Sequence, residues 1–266
     1  MKLLVAGARR VDAGKTTFAA GLVAATGAVG FKPRAGNDFW FDHGDCLTAL
    51  QDGRLYGKDA RRLAAASPGS LAPEDINPIH RLWIPSPGPD TGLLGQQDRE
   101  FLVDRVGDEY VVNAGMDLPD AVRTAIDTEN AIAVDSVDAL NAQTEQRYLP
   151  LQRELLGEIR ATDRAVIESY GDVATPLSVE PDAVAIIEPC QARLFDGRRY
   201  ARACEVAPRG QHDGMLEQRV ESVIDLIEPV ATVTLPPLRP ETQDDPERIA
   251  DRYEPAIDHL LEIAAN

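Results

Sequence analysis

The first 26 residues constrain the fold more than any other stretch. Leu3-Leu4-Val5-Ala6 is an apolar run of strand length. A loop of small and charged residues follows, Gly7-Ala8-Arg9-Arg10-Val11-Asp12-Ala13-Gly14, and Lys15-Thr16-Thr17 then opens a helix dense in Ala and Leu that runs to about residue 25. A strand, a turn ending in glycine and a helix that begins Lys-Thr form the pattern of a phosphate-binding loop. There, backbone N–H groups and the helix dipole cradle an anion, the lysine reaches the terminal phosphates, and the hydroxyl ligates Mg²⁺. The pattern predicts a nucleoside triphosphate site built from Asp12, Ala13, Gly14, Lys15, Thr16 and Thr17. The spacing is unusual, because Gly-x4-Gly-Lys-Thr would require glycine where Arg9 stands, and the nearest glycine is Gly7.

The lysines point to the same chemistry. Three of the four lie in or beside motif-like segments: Lys15, Lys32 in Val29-Gly30-Phe31-Lys32-Pro33, and Lys58 in Gly57-Lys58-Asp59-Ala60. Elsewhere the cations are almost all arginine, so a retained lysine suggests a need for a compact ammonium rather than a planar fork.

Strand and helix patterns alternate along the chain, which predicts an α/β protein with a mainly parallel sheet and crossover helices. Strands are expected at residues 3–6, 28–32, 164–168, 183–188 and 229–235. Helices are expected at 15–25, 57–66, 97–106, 136–160, 213–227 and 245–264. Residues 68–95, rich in Pro and Gly, read as a loop excursion, and 107–160 as an insertion. At 266 residues the chain suits a single domain spanning 1–266.

With 44 acidic against 27 basic residues the formal net charge is −17, which argues against nucleic acid or an anionic membrane as partner. Acidic, arginine-over-lysine composition is that of halophilic proteins. No apolar run approaches membrane-spanning length. Met1-Lys2 leads straight into a strand without a cleavage pattern, and Cys46, Cys190 and Cys204 are widely spaced, so a reducing cytoplasmic location is expected.

Glu168 ends the strand Ala165-Val166-Ile167-Glu168. Open α/β sheets place ligand and metal groups at the carboxyl ends of their strands, so Glu168 is a candidate Mg²⁺ ligand opposite Thr16. Glu188 ends the next strand, but Pro189 follows it and no pattern claims it. His43, His80, His212 and His259 share no ligand spacing, and no nucleophile motif is present.

In order along the chain, these segments resemble dethiobiotin synthetase and its relatives, including the cobyrinic acid amide synthases. The stretched loop ending Asp12-Ala13-Gly14-Lys15-Thr16 is similar to the family's phosphate loop, and Gly30-Phe31-Lys32-Pro33 to its Gly-aromatic-Lys-Pro strand end. Lys58-Asp59-Ala60 resembles the helix start that supplies a Mg²⁺-binding aspartate. Asp75-Ile76-Asn77-Pro78, Thr175-Pro176-Leu177 and Leu235-Pro236-Pro237-Leu238 look like further family segments. Ser169-Tyr170-Gly171-Asp172 stands where the family has Gly-Ala-Gly-Gly, which narrows the approach to the site.

The resemblance implies a P-loop NTPase, a three-layer α/β/α fold, with ATP as substrate and Mg²⁺ as cofactor. Lys15 and Lys32 would be catalytic, and Thr16, Asp59 and Glu168 would hold the metal. The γ-phosphate would activate a carboxylate or carbamate of a small-molecule acceptor, in a homodimer where Arg10 sits where relatives carry a lysine that acts across the interface. Two other readings stay open. One is a regulatory or assembly ATPase or GTPase that switches a protein partner, and the other is a site that binds nucleotide without chemistry.

Overall fold

The computed structural model describes residues 1–8, 14–86, 92–96, 98–212 and 215–266. Arg9, Arg10, Asp12 and Ala13 of the expected phosphate loop lie outside the described residues. In chain order the elements begin with β1 (Lys2–Gly7), α1 (Lys15–Thr26), β2 (Val29–Phe31), β3 (Arg34–Asp38), α2 (His43–Gln51), α3 (Lys58–Ala66) and α4 (Pro73–Ile76). Next come β4 (Ile79–Pro85), β5 (Arg99–Val106), β6 (Glu109–Asn113), α5 (Asp120–Ala125), β7 (Ile132–Val134), α6 (Val137–Gln143), a π-helical turn (Thr144–Tyr148) and α7 (Leu149–Ala161). The chain closes with β8 (Ala165–Glu168), β9 (Ala183–Glu188), β10 (Gln191–Asp196), α8 (Gly197–Val206), β11 (Arg209–His212), β12 (Met215–Gln218), α9 (Val220–Ile224), β13 (Ala231–Thr234), α10 (Pro240–Gln243) and α11 (Pro246–Ala264). The protein is α/β, and it divides into two compact units: residues 1–33, 62–72 and 156–266, and residues 34–61 and 73–155.

The first unit carries a six-stranded sheet in the order β13-β10-β9-β1-β8-β2. β1 lies parallel between β8 and β9, and β2 extends the parallel set beyond β8. β10 and β13 are added in antiparallel steps. Leu3, Val5, Ala6, Val166, Ile167 and Val184 to Ile186 are fully buried, as strands covered on both faces require. From β1 the chain goes through α1 to β2 on one side, and from β8 it crosses to β9 on the other. The carboxyl end of β1 is therefore the point where the winding reverses, the place at which open α/β sheets hold ligands.

α1 packs against α11, β1 and β8. Gly21 makes the first contact possible, because a Cβ there would stand 2.6 Å from Ile249 Cγ2 and 3.1 Å from the Ala250 backbone nitrogen. Gly21→Val should destabilise the protein by about 1–3 kcal/mol through overpacking. That cost outweighs a helix-propensity gain of less than about 1 kcal/mol. Chemical denaturation measures it, and parent-like stability would mean the two helices are not in close contact there.

The second unit is a mixed five-stranded sheet, β3-β4-β5-β6-β7. One apolar cluster joins Leu82, Leu102 and Val103 to Cys46 and Leu50 of α2 and Val122 of α5. Another joins Ile79, Trp83, Phe101 and Val111 to Leu140 and Tyr148. Polar groups are buried in pairs. Arg81 makes a two-pronged contact with Asp104 at 2.7 and 2.6 Å, and the Tyr148 hydroxyl donates to the same carboxylate. Arg105, buried on the next position of β5, donates to the carbonyls of Leu55, Asn77, Gly107 and Pro78.

Three expectations are corrected here. The helix expected over 97–106 is strand β5, in which Asp104 and Arg105 are buried and hydrogen-bonded. The loop excursion at 68–95 contains α4 and β4, whose polar residues His80 and Arg81 are also buried. The helix expected over 213–227 is β12 followed by the short α9. Among the described residues no helix is long and apolar enough to cross a membrane.

Burial separates the three cysteines. The Cys46 thiol is pushed up to about 12 by burial and then by Asp42, Asp45 and Asp38, and Cys204 to about 12 by burial and Glu205. Cys190, in the turn between β9 and β10, is exposed. Raised pKa values lower the thiolate fraction, which is the reactive form. At pH 8 the native protein should therefore be alkylated at Cys190 alone, with Cys46 and Cys204 following only on unfolding. Peptide mass mapping of native and unfolded samples checks this.

Candidate functional site

Three separate segments of the first unit converge at the carboxyl edge of its parallel strands. β8 delivers Glu168 beside Val5 of β1, and the Phe31–Ile167 pairing brings Lys32 and Glu168 off the ends of adjacent strands. Glu168 is fully buried and the Lys32 side chain is 3% exposed. Lys32 Nζ donates to Glu168 Oε1 at 2.5 Å and to the Ser169 carbonyl at 3.3 Å. Thr16, in the first turn of α1, donates its hydroxyl to the same Glu168 oxygen at 2.8 Å.

α1 starts abruptly. Gly14 is its N-cap at φ 82°, a left-handed conformation that favours glycine, and it has no side chain with which to cap the helix. Its carbonyl accepts from Phe18 N at 3.0 Å, the first helical bond. Lys15 and Thr17 belong to this first turn. The Lys15 ammonium donates to the Gly171 carbonyl, on the loop that follows β8.

That loop is itself held in place. Ser169 Oγ donates to the Val173 carbonyl at 2.6 Å, the Tyr170 hydroxyl to Glu217, and Arg219 pairs with Asp172 at 3.1 Å. Backbone bonds from Ala174 N to Gln218 O and from Val220 N to Asp172 O, both 2.8 Å, fasten it to β12 and the residues after it. The carbonyls of Ser169 and Gly171 were not foreseen as site groups. The only sequence signal for them is their position after a strand-end glutamate.

Of the expected site residues, Lys15, Thr16, Lys32 and Glu168 are thus brought together in one unit. Asp59 belongs to the second unit, in the first turn of α3 beside Lys58, whose ammonium lies 3.3 Å from Asp45 and 3.9 Å from Asp42. Glu188 has a structural setting, accepting from Gln191 at 2.7 Å and Arg193 at 2.9 Å across the β9–β10 turn. Among the described residues no group of three or more His, Cys, Asp or Glu side chains is arranged to hold a metal.

The arrangement puts one buried carboxylate, one buried ammonium and one hydroxyl around a single oxygen, with a second ammonium at the helix start. Removing one member of a buried ion pair leaves an uncompensated charge and costs about 3–5 kcal/mol. Lys32→Met and Glu168→Gln should each destabilise the metal-free protein by that order, and the double variant by much less than their sum. Denaturant unfolding of the cycle measures the coupling, and additivity would mean that the two side chains are not paired.

Comparison with known proteins gives no match to any family model, curated protein or solved structure.

Proposed function

We propose that the chain is a Mg²⁺-dependent P-loop NTPase resembling dethiobiotin synthetase, with a three-layer α/β/α architecture, which uses ATP to activate a carboxylate or carbamate of a small molecule. The convergence of Thr16 and Lys32 on Glu168, with Lys15 at the start of α1, carries this reading. The groups are of the right kind for the cation. A hydroxyl and a carboxylate are hard oxygen donors, and Mg²⁺ takes one or two of these from protein and completes its shell with phosphate oxygens and water. Thr16 and Glu168 would hold it, with Asp59 as the further candidate, and the ion would neutralise charge on the phosphates.

The chain's own residues supply the rest. Lys15 would leave the Gly171 carbonyl for the terminal phosphates, assisted by the positive end of the helix dipole. Lys32 would stand between the γ-phosphate and the acceptor, compensating charge on the phosphoryl group as the acceptor oxygen bonds to phosphorus and ADP departs. With charge spread over a loose transition state, positioning and electrostatics do most of the catalysis.

A dimeric switch ATPase is the second reading. It is favoured by the ties between the loop carrying Gly171 and the β11–β12 hairpin, through which a partner could act on Lys15.

Lys15→Ala should lower affinity for ATP–Mg²⁺ by at least about tenfold, since the phosphates lose a direct counter-charge worth more than about 1.4 kcal/mol. Calorimetric titration measures it, and affinity within twofold of the parent would remove the phosphate-loop assignment. Lys32→Arg should keep nucleotide binding and lose turnover, because the broader guanidinium fixes a different geometry and takes acceptor space. Single-turnover hydrolysis decides between the readings, with parent-like rates leaving the switch ATPase.

A further inference from the structure

We propose that the Trp40-Phe41 turn of the second unit is a docking site for a basic, arginine-bearing segment of another protein. The inference is independent of the nucleotide reading. Trp40 is 74% exposed and Phe41 79%, and they are the two largest side chains among the exposed hydrophobics of the described residues. Single exposed apolar residues are ordinary, but two adjacent aromatics displayed to water mark a binding surface. The turn that carries them is tied down. Trp40 N and Phe41 N both donate to Asp38 Oδ1, at 2.9 and 3.1 Å. Asp42 N donates to the Asp38 carbonyl at 2.8 Å, and Asp38 N to Asp42 Oδ2 at 3.0 Å. Phe39 N donates to the Trp83 carbonyl at 2.7 Å, and the Phe39 ring packs edge-on against His43. The rings are therefore offered from a pre-organised backbone, so docking orders little main chain.

The charges beside the rings select the occupant. Asp38 holds their backbone, Asp42 follows Phe41 in the chain, and Asp45 lies in the first turn of α2. Against these three carboxylates Lys58 sets one ammonium, 3.3 Å from Asp45 and 3.9 Å from Asp42. The patch has a negative excess, as does the chain at −17. Nucleic acid and anionic lipid are repelled by such a surface. A second copy brings the same charges, and it finds too little area. Two partly exposed aromatics offer about 200–400 Å², whereas a stable interface takes about 800 Å² from each partner. An arginine on an extended segment meets both features of the patch. Its planar cation stacks on an aromatic face and donates to a carboxylate, while an apolar neighbour covers the second ring.

The test uses a short, dye-labelled synthetic peptide of alternating arginine and leucine, with a glutamate–leucine peptide as control, read by fluorescence anisotropy at constant ionic strength. The parent should bind the arginine peptide and not the glutamate peptide. Trp40→Ala/Phe41→Ala should lose at least about tenfold in affinity, as removal of a central aromatic anchor does, with its melting temperature unchanged because both rings are exposed. Asp42→Asn/Asp45→Asn keeps the acceptor used by Asp38 N and should lose about threefold or more, the worth of two exposed ion pairs. The chain has two tryptophans, and Trp83 is only 3% exposed. Peptide binding should therefore shift Trp40 emission to the blue and shield it from acrylamide.

No binding by the parent at millimolar peptide overturns the proposal. So does a loss below twofold in the aromatic variant, or binding that leaves Trp40 emission unchanged, since either means only generic attraction to an acidic chain. Sedimentation and vesicle flotation cover the other occupants. A parent dimer that the aromatic variant abolishes makes the patch a self-interface, and vesicle binding lost in that variant makes it a lipid contact. Each of these outcomes overturns the basic-segment assignment.

Discussion

The ion pair between Lys32 and Glu168 is the constraint on which the first unit depends. A carboxylate with no solvent exposure, at the end of an all-apolar strand, is tolerable only with a charge partner delivered by neighbouring backbone. β2 and β8 run parallel and in register through Phe31 and Ile167, so the residue following β2 lies beside the residue ending β8. The pair thereby reports on strand order. It requires β8 to sit between β1 and β2, which also sets Glu168 facing the start of α1 and its Thr16 hydroxyl.

The second unit solves a related problem with different residues. Arg81 and Asp104 face each other across β4 and β5, the guanidinium lies about 5 Å from the Trp83 and Phe101 rings, and the Tyr148 hydroxyl adds a further bond to the carboxylate. Arg105 binds backbone carbonyls of three separate connecting segments, for which a five-donor planar fork suits better than an ammonium. The two buried carboxylates thus have different cations: the compact ammonium of Lys32 for Glu168, and the planar fork of Arg81 for Asp104.

Much of the first unit is legible in the chain itself. Leu3-Leu4-Val5-Ala6, Ala165-Val166-Ile167 and Ala183-Val184-Ala185-Ile186-Ile187 are uninterrupted apolar runs, which only strands buried on both faces require, and each becomes a parallel strand. Lys15, Thr16, Lys32 and Glu168 could be picked out because each stands at the end of a strand or the start of a helix. The second unit hides its strands. β5 holds Asp104 and Arg105, and β3 reads Arg34-Ala35-Gly36-Asn37-Asp38, so neither shows the alternation or the apolar run by which strands are recognised.

What the amino-acid sequence determined by itself is local. It includes the apolar runs that must become buried strands, the glycine that lets α1 begin at Lys15, and the chemical type of each candidate site group. These depend on neighbours in the chain, so they can be read from it. The tertiary structure alone decided which of those groups meet. Glu168 faces Lys32 and Thr16 across 136 and 152 residues of chain, and Lys15 finds Gly171 across 156. Asp104 is tolerated in a buried strand because Arg81 pairs with it, and Arg105 because backbone carbonyls accept its hydrogen bonds. Pairings of that range depend on strand order and register, which are properties of the packed sheet and are written in no short stretch of sequence.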